Sequence, residues 1–260
     1  MSTLWDARTY DVSSTPQQAW AGDVLSRLDG IPPDATILDV GCGTGRVTES
    51  LLALLPAGRV PAIDASIARA RLGDRADVWC QDVLELEHAE PVGVIVSTTA
   101  LHWVTDHERV WKRLATALRP AGILEAQCGG AGNIARVREV IETVARETAP
   151  ELVGWSPWES ASTDDTERRL RQADFGSIRC WLQDRPTNPQ AVAPFVRTSI
   201  LGAHLARLPE RRRDQFAADV VATRRTTAGL RAPQRLHNPK PRLTSKRSSL
   251  ARSATTPWPR

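Results

Sequence analysis

Glycines at 41, 43 and 45 and aspartates at 39, 64 and 82 are the residues whose types and spacing bear most directly on chemistry. The stretch Thr36-Ile-Leu-Asp-Val-Gly-Cys-Gly-Thr-Gly45 runs from an apolar segment into a glycine loop, and a helical pattern follows from Thr44 to Leu55. A buried strand, a glycine loop and a helix start in that order bring backbone N–H groups close to a ligand. A Cβ there would obstruct the ligand or the left-handed backbone. The spacing is G-x-G-x-G, which differs from the dinucleotide fingerprint G-x-G-x-x-G, and no Lys-Ser/Thr pair follows as in a phosphate loop. Asp64 lies 23 residues after Gly41, at the end of the next strand. A carboxylate there can accept hydrogen bonds from the vicinal hydroxyls of a ribose. Asp82 follows the third strand, where it or its flanking amides can meet the amino edge of a base. The alternative for both aspartates is that they cap a turn or a helix.

These residues need a scaffold, and the periodicity supplies one. The pattern predicts a helix from Thr15-Pro16 to about Leu28, then strands near 36–40, 59–63, 77–80, 92–98 and 123–127. Between them fall helices over 44–55, about 106–118 (capped by Thr105 or Asp106) and about 133–148. Alternation of strand and helix argues for an α/β, doubly wound, mainly parallel sheet with helices on both faces. Beyond Pro150 the reading is an irregular aromatic loop (Gly154 to Trp158), a helix over 163–173, a strand over 177–183 and helices over 189–207 and 210–222. The parts are then an N-terminal arm and helix (1–33), a ligand-binding core (34–150), a C-terminal part (151–223) and a tail (224–260).

Composition narrows the class. Apolar residues make up 41% and charged residues 25%, ordinary for a globular chain. No run of about 18 apolar residues occurs, and the first residues lack a signal-peptide layout, so the expectation is a cytoplasmic protein with no membrane partner. Four widely spaced cysteines form no C-x-x-C pair and suggest neither a disulfide framework nor a metal site. Ten of the 34 Lys and Arg lie in residues 224–260, where there is no Asp or Glu. The remaining 24 therefore face all 30 acidic residues, and the first 223 residues carry a net charge of −6. That basic tail, rich in Pro, Ser and Thr, is expected to be disordered. It holds one aromatic residue and no nucleic-acid reading motif, so nucleic acid is not the expected partner.

The set LDVGCGTG, Asp64, Gln81-Asp82-Val83 and Ser97-Thr-Thr-Ala-Leu-His-Trp-Val104 resembles the class I S-adenosylmethionine-dependent methyltransferases over about residues 34–130. The resemblance implies a Rossmann-like methyltransferase sheet with S-adenosylmethionine over the carboxyl ends of its strands. It implies contact of Gly41, Cys42, Gly43 and Gly45 with the methionine end, and support from Asp39 for the loop and the cofactor's amino group. Asp64 and Ala65 would hold the ribose, Asp82 and Val83 the adenine, and Thr99 would border the site. Trp5-Asp6, Tyr10 and ALHWVTDHERVWKRLATALRPAG at 100–122 are similar to the trans-aconitate methyltransferase group, which esterifies a small polycarboxylate. The malonyl-carrier-protein methyltransferases share much of this core. A carboxylate acceptor is ionised at neutral pH and needs no general base, only donors to hold it. Candidates on the substrate side are Trp5, Tyr10, His102, Trp103 and Arg197. His107 is expected on the solvent face of its helix, and the loop at 154–158 could form part of a lid or simply pack into the core.

Two features depart from that family. Only twelve residues separate Asp64 from the strand at 77, leaving room for about two helical turns, and Pro61 falls within the expected second strand. The antiparallel seventh strand that would complete the sheet has no counterpart in the basic tail and is expected to be missing. A degenerate, non-catalytic binding domain is the alternative function.

Overall fold

The computed structural model describes residues 15–65, 72, 76–87, 90–187, 192–226, 232–237 and 242–243. These fall into two compact units. One takes the described residues of Gln18–Ala131, Glu159–Gln183 and Leu236–Arg260; the other takes those of Met1–Gln17, Gly132–Trp158 and Asp184–Arg235.

The first unit is built on α1 (Thr15–Leu25), β1 (Ile37–Val40), α2 (Arg46–Leu54), β2 (Ala62–Asp64), β3 (Val78–Cys80), β4 (Val92–Thr98), α3 (His107–Ala117) and β5 (Leu118–Gly129). The parallel strands lie in the order β3-β2-β1-β4-β5. Chain order reverses between β1 and β4, and in such sheets the crevice beyond the strand ends at that point is where ligands bind. Side chains alternate across the sheet as the pleat requires. Leu38, Val40, Ile95 and Leu124 pack with Val110 and Leu114 of α3 in one cluster, while Ile37, Val94 and Val96 pack with Val24, Leu51 and Leu55 in another. A helical layer therefore covers each face.

Several expectations need correction. β5 begins at Leu118, not near 123, because Arg119-Pro-Ala-Gly122 forms an irregularity within the strand: Val92 pairs with Leu118, but Val94 pairs with Ile123. Ala121 takes φ 63° there. Pro61 lies just before β2, where it costs no ladder donor, and its carbonyl accepts the Asp39 N–H at 2.9 Å. The strand expected at 177–183 is split, after α5 (Thr163–Gln172), into β6 (Phe175–Gly176) and β7 (Leu182–Thr187). Asp174 and Ser177, at φ 65° and 50°, turn the chain on either side of β6. Most consequentially, the antiparallel partner of β5 is present. β8 (Ala232–His237) pairs Cys128 with His237 and Gly129 with Leu236; β9 (Arg242–Leu243) pairs Arg242 with Ile123 and joins β6. Those stretches of the basic tail are therefore strands, and residues 224–226 end the helix Glu210–Thr226; the rest of it lies outside the described residues. An open edge on β5 would leave backbone donors unpaired, and these basic strands cover it, β8 lying between β5 and β7 in the sheet.

The second unit is helical: α4 (Ala135–Thr148), α6 (Val192–Phe195), a π-type stretch Val196–Ile200, α7 (Gly202–Arg207) and α8 (Glu210–Thr226). The predicted helix at 189–207 is thus interrupted. Its core joins Val137, Ile141 and Val144 to Phe195, Leu201, Phe216 and Val220. Trp158 is buried in that core and Trp155 packs against it, so both tryptophans of the aromatic loop serve packing in this unit.

Candidate functional site

The site residues that sequence placed together are brought together at the carboxyl ends of β1, β2 and β4. Gly41, Gly43 and Gly45 have φ of 79°, 53° and 81°, a region that L side chains avoid. The three serve different ends. A Cβ on Gly41 would lie 2.2 Å from the Ala100 Cβ, and one on Gly45 would lie 2.7 Å from the Leu72 side chain. A Cβ on Gly43 would meet nothing within 4 Å. The outer glycines therefore let the loop pack, while Gly43 borders open space.

The loop is tied down through its backbone. The N–H groups of Gly41 and Cys42 both donate to the Ile63 carbonyl, at 2.8 and 3.1 Å, and Gly45 N–H donates to Cys42 O at 2.8 Å. Gly43 N–H donates to Asp64 Oδ2 at 2.8 Å, so the β2 carboxylate reaches the middle of the glycine loop. Gly45 then opens α2 in left-handed geometry.

Asp39 is fully buried beneath this loop. Thr48 of α2 donates to its Oδ2 at 2.7 Å, joining helix to strand, and its Oδ1 has no hydrogen-bond partner. Burial pushes its pKa up to about 7, opposed by the Thr48 bond and reinforced by Asp64. An uncompensated buried carboxyl of this kind favours a cation in its neighbourhood. Burial also pushes the Cys42 thiol well up, so it is inert as a nucleophile.

Gln81 N–H donates to Asp64 O at 3.0 Å, aligning the ends of β2 and β3. Asp82 is exposed there and caps the following turn by accepting Leu84 N–H at 2.9 Å; Val83 beside it is buried. Ala65 is exposed, and its carbonyl accepts the Cys80 thiol at 3.4 Å.

After β4 the chain passes Thr99, at φ 54°, whose N–H donates to Gln127 O at 2.7 Å and whose hydroxyl donates to Gln127 Oε1 at 3.3 Å. Leu101–Trp103 forms a short 3-10 turn. His102 is buried, and its pKa is lowered to about 4, first by burial and then by His107. It stands as a neutral imidazole. Trp103, its ring 5.6 Å from that of His102, is 40% exposed. His107 is buried and not on a solvent face, because it opens α3 against the turn: its Nε2 lies 3.1 Å from the Leu101 carbonyl.

Trp5 and Tyr10 lie outside the described residues. Arg197 is in the helical unit, paired with Asp214 at 2.6 Å. Among the described residues no cluster of His, Cys, Asp or Glu suited to a metal occurs, and no helix is long and apolar enough to cross a membrane. Sequence reasoning did not single out Thr48 or Gln127, and it placed His107 on the solvent face. For His107 a signal existed in the adjacent Asp106, whose carboxylate caps α3 through Arg109 N–H at 2.9 Å and so places His107 in the first turn, beside the end of β4.

Residues 37–122 match the family described as "Methyltransferase domain". The chain is 28% identical over 182 residues to a trans-aconitate 2-methyltransferase of Methylobacterium nodulans, spanning 68% of this chain and 67% of that protein. It is 29% identical over 126 residues to a malonyl-[acyl-carrier protein] O-methyltransferase of Priestia megaterium, spanning 45% of this chain and 46% of the other. Its fold is like that of Haemonchus contortus phosphoethanolamine N-methyltransferase 2, solved in complex with S-adenosyl-L-methionine. The TM-score is 0.56 at 16% identity, covering 87% of this chain and 52% of that one. The matched portion thus spans from under half to about two thirds of these curated relatives.

Proposed function

We propose, from the premise that residues 37–122 are a methyltransferase domain dependent on S-adenosylmethionine, that the chain O-methylates a small carboxylate of the trans-aconitate kind. The observation that carries the cofactor half of this reading is the Gly43–Asp64 hydrogen bond at the edge of open space, above a buried Asp39 with one carboxyl oxygen unpartnered.

The residues present fit the cofactor. Asp39 would gain from the ammonium of its methionine part, Gly41, Cys42, Gly43 and Gly45 would hold that part, Asp64 and Ala65 would take the ribose, and Asp82, Val83 and Thr99 would border the rest. Bound there, S-adenosylmethionine supplies a methyl group on a sulfonium, ready for in-line displacement. The protein's share is alignment and exclusion of water. A carboxylate acceptor arrives ionised, so no proton need be removed. The neutral His102 and the indole of Trp103 offer N–H groups at the end of β4 to hold it. The partner is accordingly a small molecule.

The trans-aconitate relative supports the acceptor class. The carrier-protein relative, similar at nearly the same identity, favours a second acceptor: a malonyl group on a carrier. A turnover assay with S-adenosylmethionine against free di- and tricarboxylates and a malonyl-carrier protein separates the two. Methylation of a free tricarboxylate is the expected result. Turnover restricted to the carrier-bound acid replaces it with the second reading, and binding of cofactor without turnover on any acid leaves a non-catalytic domain.

A further inference from the structure

The turn at 101–103 is held by more bonds than a turn of its length needs, and most of them come from its backbone carbonyls. Ala100 O accepts Trp103 N–H at 2.9 Å, and Leu101 O accepts Val104 N–H at 3.0 Å. His102 O accepts the N–H of Glu159, far along the chain, at 2.9 Å. Glu159 is itself anchored by an ion pair with Arg169 of α5 at 2.9 Å. The second lone pair of Leu101 O meets His107 Nε2 at 3.1 Å. A carbonyl can only accept, so this contact requires the proton on Nε2, and His107 is the donor.

The position of His107 suits that tautomer. It lies in the first turn of α3, where the helix dipole disfavours a cation, and it is buried with its ring edge-on to Trp111, centroids 5.6 Å apart. The charged groups around it are Asp106 on its own helix and Glu159 and Arg169 from the elements packed against it. Burial is the largest influence and lowers its pKa, keeping it neutral. Its other ring nitrogen, Nδ1, is buried without a partner. The ring thus makes one bond in this structure, and that bond goes to the turn. The turn in turn abuts the glycine loop, since Ala100 occupies the space beside Gly41.

We propose that His107 is a positioning residue: by donating its Nε2 proton to the Leu101 carbonyl it sets the 101–103 turn that presents Trp103 to the methyl acceptor. The role rests on the reading of this crevice as a methyltransferase site. His107 touches neither acceptor nor cofactor in it.

The test compares His107→Leu, which removes the donor, with His107→Gln, whose amide can reach the same carbonyl. Hydrogen-exchange mass spectrometry on peptides spanning residues 99–105 reads the turn without any activity. Faster exchange of these amides by about tenfold is expected in His107→Leu, the scale of one lost hydrogen bond, and near-wild-type exchange in His107→Gln. In turnover, His107→Leu should raise the acceptor KM by about tenfold at a cofactor Kd within about twofold of wild type, with His107→Gln restoring it. Equal exchange in the two variants, or faster exchange with an unchanged acceptor KM, overturns the proposal. A wild-type protein that binds no S-adenosylmethionine would instead remove the functional reading, while the exchange comparison still decides whether His107 holds the turn.

Discussion

The two sides of the crevice are held by different means. The glycine loop at 41–45 is fixed by backbone: glycines in left-handed conformation, and N–H groups given to Ile63 O and the Asp64 carboxylate. The turn at 99–103 has no glycine. It puts Thr99 at φ 54° and relies on groups brought from elsewhere, namely Gln127, Glu159 and the His107 ring. A backbone-built loop depends on a contiguous run of a few residue types, and a short motif records it. A turn built from distant groups leaves no such run. The loop should therefore be brittle to any added side chain, and the turn should tolerate changes that preserve a donor.

The largest effect expected follows from joining the two. Gly41→Val places side-chain atoms where Ala100 Cβ now lies, 2.2 Å from an ideal Cβ, at a φ that costs an L residue about 1–2 kcal/mol. Together with about 1–3 kcal/mol of overpacking, this should lower Tm by about 5–15 °C and abolish measurable cofactor binding. Thermal melts and calorimetric titration would check it, and a mild variant would show that the loop and turn move independently.

Thr48→Val tests the support beneath the loop. It removes the hydroxyl that serves Asp39 Oδ2 and leaves a buried carboxyl without its one hydrogen bond, a cost of about 1–3 kcal/mol. Chemical denaturation should show that loss at neutral pH.

Asp39 also gives a pH dependence of definite sign. Its folded pKa is about 7 against an ordinary 3.8, so the stability it contributes is fully present below about pH 4 and is lost as pH rises through 7. His102, and His204 of α7, run the other way: burial lowers each to about 4 against 6.5, so their contribution holds above 6.5 and is lost as pH falls through 4. Asp39→Asn should remove the decline between about pH 4 and 7 and leave the acid limb. Tm measured across that range reads both, and an unchanged decline in Asp39→Asn would reject the assignment.

The smallest effect is expected at Asp82, exposed and already engaged as a cap to Leu84 N–H. Asp82→Ala should cost about 0.5–2 kcal/mol as a lost cap, with cofactor affinity changed by less than about fivefold. A loss as large as that from Asp64→Ala would place Asp82 on the ligand instead.

Legibility in the sequence followed the same division. Gly41, Gly43 and Gly45 could be found because strand, loop and helix start occupy one continuous stretch, Asp64 because it ends the next strand, and β1 and β4 because their apolar runs are buried on both faces. His107 was misplaced because its burial depends on where the end of β4 comes to rest against α3, which helical spacing does not contain. β8 and β9 were missed for a related reason. Their pairing rests on backbone bonds to β5 and to β7 or β6, which need no alternating apolar pattern, and residues 232–237 and 242–243 have a composition that reads as tail. The extension of β5 back to Leu118 hid behind Arg119-Pro-Ala-Gly122, a turn-like run that forms an irregularity within the strand.

The most direct measurement is calorimetric titration of S-adenosylmethionine into the wild-type protein and Asp64→Ala at neutral pH. Asp64 accepts the Gly43 N–H and is the group assigned to the ribose. The account predicts saturable one-to-one binding by wild type and an affinity lower by about 10–100-fold in Asp64→Ala, the loss of one or two hydrogen bonds to a charged group. Equal affinity in the two proteins, or no binding by the wild type, would contradict it.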